Sequence, residues 1–586
     1  MRQLLLLDNQ VKNEGELTSM RFDGEYDVSD DAFVKKVRFG ARWGDRSRVT
    51  RNANFSNWGN LGAPWTGRGG NWNCGDFQAF GCGGAYVRDF PNSAGLRNPF
   101  GSNFQRGNAP IPMGDGSAFF FGGDNMVADY LSGAIANQAG SITSYTLTPN
   151  AWRPISARGG LRPGGPWTAG EISDVEEGTT AAYVRVDFGA NLGGDVTLSG
   201  NVGLRYVNTE IRSGGQISFP GPEFFDTPPS GNGDGVVSVA ELQTACANVQ
   251  PGQSAPGYCS LSPTRMAQFA AVFTGEVIDD SANIKFSNWL PSFNARVDFG
   301  NGMVIRGAVS KSISRPDLSA FATGGAIFDN TTNLRAGGTL DSGPLFQIYT
   351  GNRLLRPIES WNYDLSFEWY FDDVGSLTIS GFLKDIKGII NNGASVRRFT
   401  SPSGVSTDVL VNGPVNSDGG TLKGFEIAYQ QTYDFLPGPL SGLGTQLTYT
   451  YVDAGDFNNS TLGAEQSPFA GGLPLAGVSK HTINAVVFYE KGPFAARLAY
   501  NWRSDFLQTP RDVIFPFSPI YGESTGQLDG SIFFSVNEHF KLGVQGVNLL
   551  DEVTRTSQVI DFSGTRTTRS AFRNDRRFTF LARFDF

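Results

Sequence analysis

The residues best placed to do chemistry lie in one short stretch, 226–241, where oxygen donors recur at fixed intervals. Set against the EF-hand calcium loop, Ser230 falls at position 1, Asn232 at 3, Asp234 at 5, Gly235 at 6 and Glu241 at 12. Val236 offers a backbone carbonyl at position 7, and Val237 is apolar, as the eighth position usually is. A hard cation such as Ca2+ is held by about six to eight oxygens, which alternate polar side chains on a glycine turn can supply. Ser230 departs from the pattern, since position 1 ordinarily carries a carboxylate. Losing that charge weakens binding, although Asp226 could reach in. The plainer reading is a Gly/Asn/Asp turn ahead of a short helix. Ca2+ in loop 230–241 is the single cofactor the sequence points to; no other is expected.

The four cysteines form two near-neighbour pairs, Cys74/Cys82 and Cys246/Cys259. Local disulfides in an oxidising space are one reading, unpaired thiols another and zinc a distant third. Neither pair has CxxC spacing or a neighbouring His. Trp58, Trp65 and Trp72 stand in a segment rich in Gly and Asn. They are candidate ligand-binding residues, because sugars stack on aromatic faces, but packing of the loop against itself would explain them too. His481 and His539 are the only histidines, and neither a Ser/His/Asp spacing nor a phosphate-binding glycine motif is present. An enzyme is not expected.

Apart from His481 and His539, which fall in or beside strands, these residues sit between the regular elements. Along 359–371, Trp361, Tyr363, Leu365, Phe367, Trp369 and Phe371 share one face, and Asn362, Asp364, Ser366 and Glu368 the other. The final stretch repeats the contrast: Phe578, Phe580, Ala582, Phe584 and Phe586 against Thr579, Leu581, Arg583 and Asp585. A period of two is the strand period. The pattern recurs at 16–28, 33–44, 179–189, 195–209, 289–299, 303–313, 376–388, 421–432, 443–452, 480–490, 494–503, 526–536 and 541–550, which makes about 15 strands. Short turns such as Gly300-Asn301-Gly302 alternate with long connections, above all 45–172 and 211–283.

The expected fold is all-β: a transmembrane antiparallel β-barrel, one domain over 1–586, with 45–172 and 211–283 as long outer loops. Soluble sandwiches also alternate. An Arg or Lys at mid-membrane on a barrel's lipid face costs about 2–4 kcal/mol, however, and the apolar faces quoted contain none. Charged residues are 18% and aromatics 12%, with 75 Gly and 46 Phe. No apolar run approaches the ~18 residues of a membrane helix. A mean hydropathy of −0.22 does not exclude a barrel, half of whose strand residues are polar. The net charge of −9 argues against nucleic acid as a partner. Among inward charges, Arg185, Arg205, Arg306, Glu368 and Arg497 either brace neighbouring strands as a salt-bridge ladder or line the interior.

Several segments also resemble a family. NWLPSFNARVDFGNGMVIRGAVSKSISRPDL from Asn288, LRPIESWNYDLSFEWYFDDVGSLTISGFLKDIKGII from Leu355, LKGFEIAYQQ from Leu422, VNLLDE from Val547 and the terminal RRFTFLARFDF are similar to the barrel of TonB-dependent outer-membrane receptors, especially those of Caulobacter and Xanthomonas type. The resemblance extends through most of 175–586. It implies a Gram-negative outer membrane, lipid around the barrel and uptake of a siderophore-like or carbohydrate-like small-molecule ligand. A porin-like passive channel or a non-functional truncated receptor are the alternatives. It further implies a barrel of about 22 strands filled by an N-terminal plug. No plug-like segment, TonB box or full signal peptide is recognisable, and MRQLLLLDNQ already lies close to a strand. The expectation is therefore a C-terminal portion lacking the plug and about seven strands, able to engage the TonB system only if a plug is supplied. Phe586 resembles the terminal signal read by the outer-membrane assembly machinery. The edge of the last strand should be bare or paired with about residues 16–28.

Overall fold

The computed structural model describes residues 5–7, 10–53, 58–60, 97–99, 117–119, 155, 160–228, 230–249, 255–455, 457, 473–512, 518–561 and 563–584. Alternation produces one antiparallel meander. Its long strands are β1 (Gln10–Asp27), β2 (Val34–Ala53), β3 (Ile172–Gly193), β4 (Val196–Ser218), β5 (Ala282–Asp298), β6 (Met303–Ser314), β7 (Ile358–Tyr370), β8 (Ser376–Lys387), β9 (Gly420–Thr432), β10 (Leu443–Asp453), β11 (His481–Lys491), β12 (Phe494–Arg503), β13 (Thr525–Ser535), β14 (Phe540–Val547) and β15 (Arg577–Phe584). Each pairs with its chain neighbours, from Met20 opposite Trp43 at one end to Phe540 opposite Phe584 at the other. Two short strands, Val277–Asp279 and Gly325–Ala326, extend the end of β4 and bring the sheet to 17.

The fifteen strands expected are the fifteen observed; the limits differ at one rim. β2 continues to Ala53 and β4 to Ser218, so the two long connections begin later than 45 and 211. Past the apolar band a strand no longer needs an oily face, so its backbone ladder runs on where the sequence alternation stops. Ion pairs such as Arg51–Glu14 (2.6 Å) replace it.

Of the two faces, the outward one packs on nothing else among the described residues. Leu365 is 63% exposed, Met20 71% and Phe580 79%. An apolar surface of that extent marks contact with lipid. The inward face carries cross-strand ion pairs: Lys36 with Glu25 (3.1 Å) and Asp27 (3.0 Å), Arg38 with Asp187 (3.2 Å), Arg306 with Glu368 (2.7 Å).

One rim is made of short turns. At 299–302, Gly300 and Gly302 take φ of 77° and 78°, a left-handed backbone that a side chain would strain. The opposite rim carries a cap with its own core. Helices α1 (Val239–Ala247) and α2 (Pro263–Ala271) pack with a four-stranded sheet formed by Phe328–Asp329, Phe346–Tyr349, Ser406–Asn416 and Ile390–Thr400. Leu242, Met266, Phe269, Phe346, Ile348 and Val409 are buried there, and Phe269 stacks on Phe346 at 4.9 Å. No helix among the described residues is long and apolar enough to cross a membrane.

Candidate functional site

Polar side chains converge in two places, a cavity on the inward face and the oxygen-rich loop of the cap. The cavity encloses about 770 Å³ against β3 to β8. Arg185, Asn201, Asn294, Arg296, Arg306 and Asp364 line it, each at an inward position of its strand. Register brings them together. Asn201 faces Asn294, whose amide N–H donates to the Asn201 oxygen at 3.0 Å, and Arg296 faces Arg306. Like charges directly opposite one another destabilise a sheet unless compensated. Asp298 neutralises Arg296, and Glu368 accepts from Arg306 Nε at 2.7 Å. Arg185 is held by Asp187 (2.6 Å). Of the inward charges named from the sequence, Arg306 and Glu368 thus brace neighbouring strands, Arg185 pairs within its own strand, and Arg497 donates to Gln446 at 3.5 Å. The site can grip an oxygen-rich solute by hydrogen bonds; it holds no activated nucleophile.

Loop 226–241 is built differently. Asn232 Oδ1 accepts from the Asp234 N–H (2.8 Å), and Asp234 Oδ1 accepts from the Val236 N–H (2.9 Å). Gly233 and Gly235 adopt φ of 80° and 85°, which lets the chain coil round these oxygens. Glu241 Oε1 accepts from the Asn232 N–H (3.1 Å) and Oε2 from the Ser238 N–H (2.7 Å), which ties the loop to the start of α1. Ser230 hydrogen-bonds through its backbone to Thr227 (3.1 Å), whereas Asp226 turns into the loop. Asp226 Oδ1 accepts from Gly233 (2.7 Å) and Asp234 (3.2 Å), and Oδ2 from Gly235 (2.5 Å). Burial raises the Asp226 carboxyl, but the three backbone N–H groups outweigh it and hold it below the usual carboxylate range.

Cys246 and Cys259 form a disulfide, Cα to Cα 5.6 Å, joining the end of α1 to the turn Gly257–Ser260. Trp58 begins a short strand, Trp58–Asn60, paired with Leu5–Leu7. Trp65, Trp72, Cys74, Cys82 and Phe586 lie outside the described residues. His481 sits in β11, its Nδ1 2.8 Å from the Tyr449 hydroxyl. Sequence reasoning missed Glu177, 1% exposed, which receives both Arg46 nitrogens at 2.9 Å and also Arg315. Nothing local flags it, because its partners lie on β2 and beyond β6.

The family model described as TonB dependent receptor-like, beta-barrel matches residues 6–549. Among curated proteins none matches the sequence. Similar solved structures include the siderophore receptor PirA from Acinetobacter baumannii (12% identity, 98% of this chain and 63% of that one, TM-score 0.40). The ferric-catecholate import receptor Fiu from K12 E. coli (12%, 99% and 55%, 0.43) and the ferric citrate transporter FecA (9%, 99% and 56%, 0.46) are others. The chain spans between 55% and 63% of the length of these structures. Likeness of this degree carries no argument about ligand.

Proposed function

Since the chain belongs to the TonB-dependent receptor β-barrel family, we propose that it forms the ligand-conducting barrel of an uptake receptor in a Gram-negative outer membrane. The short-turn rim then faces the periplasm and the capped rim the exterior. One observation carries the reading. The sheet that matches the family turns apolar side chains outward and a polar, arginine- and asparagine-lined cavity inward. The ligand class follows from that lining. Guanidinium and amide donors suit a small, oxygen-rich solute of siderophore-like or carbohydrate-like kind. The cavity's arginines are each held by a carboxylate, Arg185 by Asp187, Arg296 by Asp298 and Arg306 by Glu368, which supports transport and not catalysis.

The test is uptake by cells that carry the protein in their outer membrane and by cells deleted for it. Ferric siderophores and oligosaccharides are supplied with and without a protonophore. Saturable uptake that the protonophore abolishes supports the proposal. Uptake unaffected by the protonophore, with steady conductance of the purified protein in planar bilayers, would instead make it a passive pore.

A further inference from the structure

A line of guanidiniums runs along the inward face of β1 to β6, and two of its members lack a counter-charge. On β2, five of the seven inward positions from Lys36 to Arg48 are cationic: Lys36, Arg38, Arg42, Arg46 and Arg48. Strand pairing sets like charges directly opposite one another three times, Arg21 against Arg42, Arg38 against Arg185 and Arg296 against Arg306. Such pairs destabilise a sheet unless something negative joins them. Carboxylates do so at most rungs. Asp23 accepts from Arg21 (3.0 Å), Asp187 takes both Arg38 (3.2 Å) and Arg185 (2.6 Å), and Glu177 holds Arg46. Among the described residues neither Arg42 nor Arg205 has an ion-pair or hydrogen-bond partner, and both are exposed on the inward face. Acid is not in short supply, since the chain's net charge is −9.

Register fixes the order of the rungs. Arg46 faces Glu177 of β3, Arg42 faces Ala181, Arg205 faces Tyr183 and Arg38 faces Arg185. Successive rungs are two to four residues apart on β3, roughly 7–14 Å along the strand. The line starts near the capped rim, where Glu177 holds Arg46, and ends in the cavity lined by Arg185, Arg296 and Arg306. Arg42 and Arg205 stand two strands apart, about 10 Å.

We propose that this line is a binding track for an anionic solute bearing at least two carboxylate or phosphate groups, with Arg42 and Arg205 as its primary contacts. The proposal rests on the transport reading and narrows its ligand, excluding a neutral sugar. A guanidinium's planar fork meets either oxyanion through two parallel N–H donors and keeps its charge at any ordinary pH. The neighbouring arginines, already neutralised by their own carboxylates, grip an anion less tightly, so a solute held at Arg42 and Arg205 is not trapped on its way to the cavity. Conduction needs several sites of moderate strength in series, not one strong one.

Calorimetric titration of the full-length protein in a non-ionic detergent tests this with three probes: tricarballylate, pyrophosphate and the neutral trisaccharide maltotriose. At least one anion should bind saturably and maltotriose should not; the tighter of the two anions tells carboxylate from phosphate. Raising NaCl from about 50 to about 300 mM should weaken anion binding several-fold, because exposed charges are screened. Arg42→Gln and Arg205→Gln should each weaken it about ten-fold, the loss expected for one charge-assisted contact. Arg42→Lys, which keeps the charge and loses the fork, should fall between wild type and Arg42→Gln. Arg497→Gln, inward on β12 and off the line, should leave binding unchanged, and far-UV circular dichroism verifies the sheet in each variant. No saturable heat with either anion, maltotriose bound as tightly as the anions, or unchanged anion affinity in both glutamine variants overturns the track. Those outcomes leave protonophore-sensitive uptake by cells untouched, whereas loss of that uptake with anion binding intact would strike the transport reading alone.

Discussion

At the scale of single residues, the heaviest dependence falls on buried acids at the capped rim. Glu177 accepts from Arg46 on β2 and from Arg315, the residue that leaves β6 for the cap. Truncating it leaves two guanidiniums facing each other. Since each arginine stays about one-third exposed, the expected cost is about 3 kcal/mol, at the low end for a broken buried pair. Hydrogen exchange on Glu177→Ala should show lost protection in 315–322; unchanged protection would mean that Arg315 is anchored elsewhere. Asp329 behaves in the opposite sense. Burial raises its carboxyl above the ordinary 3.8, against the pull of the Thr331 hydroxyl and N–H, the latter donating at 2.7 Å. A raised acid favours the folded state fully below its unfolded pKa, and that contribution is lost as pH rises through the folded value. The cap should therefore loosen from about pH 4 upward by an amount that Asp329→Asn removes, measured as the wild-type minus variant difference in cap exchange rates. These residues were not legible in the sequence. Glu177 owes its environment to partners brought in by folding and Asp329 to burial, whereas Asp226, Asn232, Asp234 and Glu241 stand close together in the sequence itself.

At the scale of elements, strand alternation was legible almost residue by residue, because lipid on one side and polar groups on the other leave no freedom in which face a side chain takes. Leu365→Arg on the outward face should cost about 2–4 kcal/mol of folding free energy in lipid vesicles, while Asp364→Arg, one residue away and inward, should cost much less. Equal costs would contradict the assignment of faces. Close packing adds a finer device. Phe188 lies across Gly200, its paired residue on β4, and a Cβ at Gly200 would sit 2.5 Å from that ring and 2.2 Å from the Asn294 carbonyl oxygen. Gly200→Val should destabilise by about 1–3 kcal/mol, seen as a lower urea midpoint in vesicles, and a neutral result would show that the strands can shift. The cap elements were not legible. The hairpin Ile390–Thr400 with Ser406–Asn416 and helix α2 contribute to a core shared by three separate connections, so no single connection carries an amphipathic pattern strong enough to announce it.

At the scale of the whole molecule, β1 and β15 are the two edges of the meander, and no pairing joins them among the described residues, which agrees with the bare-edge expectation. Both run toward the short-turn rim, as the odd-numbered strands of a meander must. Direct closure would pair them in parallel; antiparallel closure needs an odd number of further strands between them. An unpaired edge in lipid is costly, so in the membrane both edges must find partners. Whatever completes the edges, this sheet stands in a bilayer with its apolar face on lipid. Spin labels placed singly at 361–368 of the full-length protein in bilayers, with the native cysteines replaced by serine, test it most directly. Collision with oxygen should peak at 361, 363, 365 and 367, and collision with a water-soluble nickel chelate at 362, 364, 366 and 368. Uniform access of the chelate to all eight positions, or an inverted alternation, would contradict it.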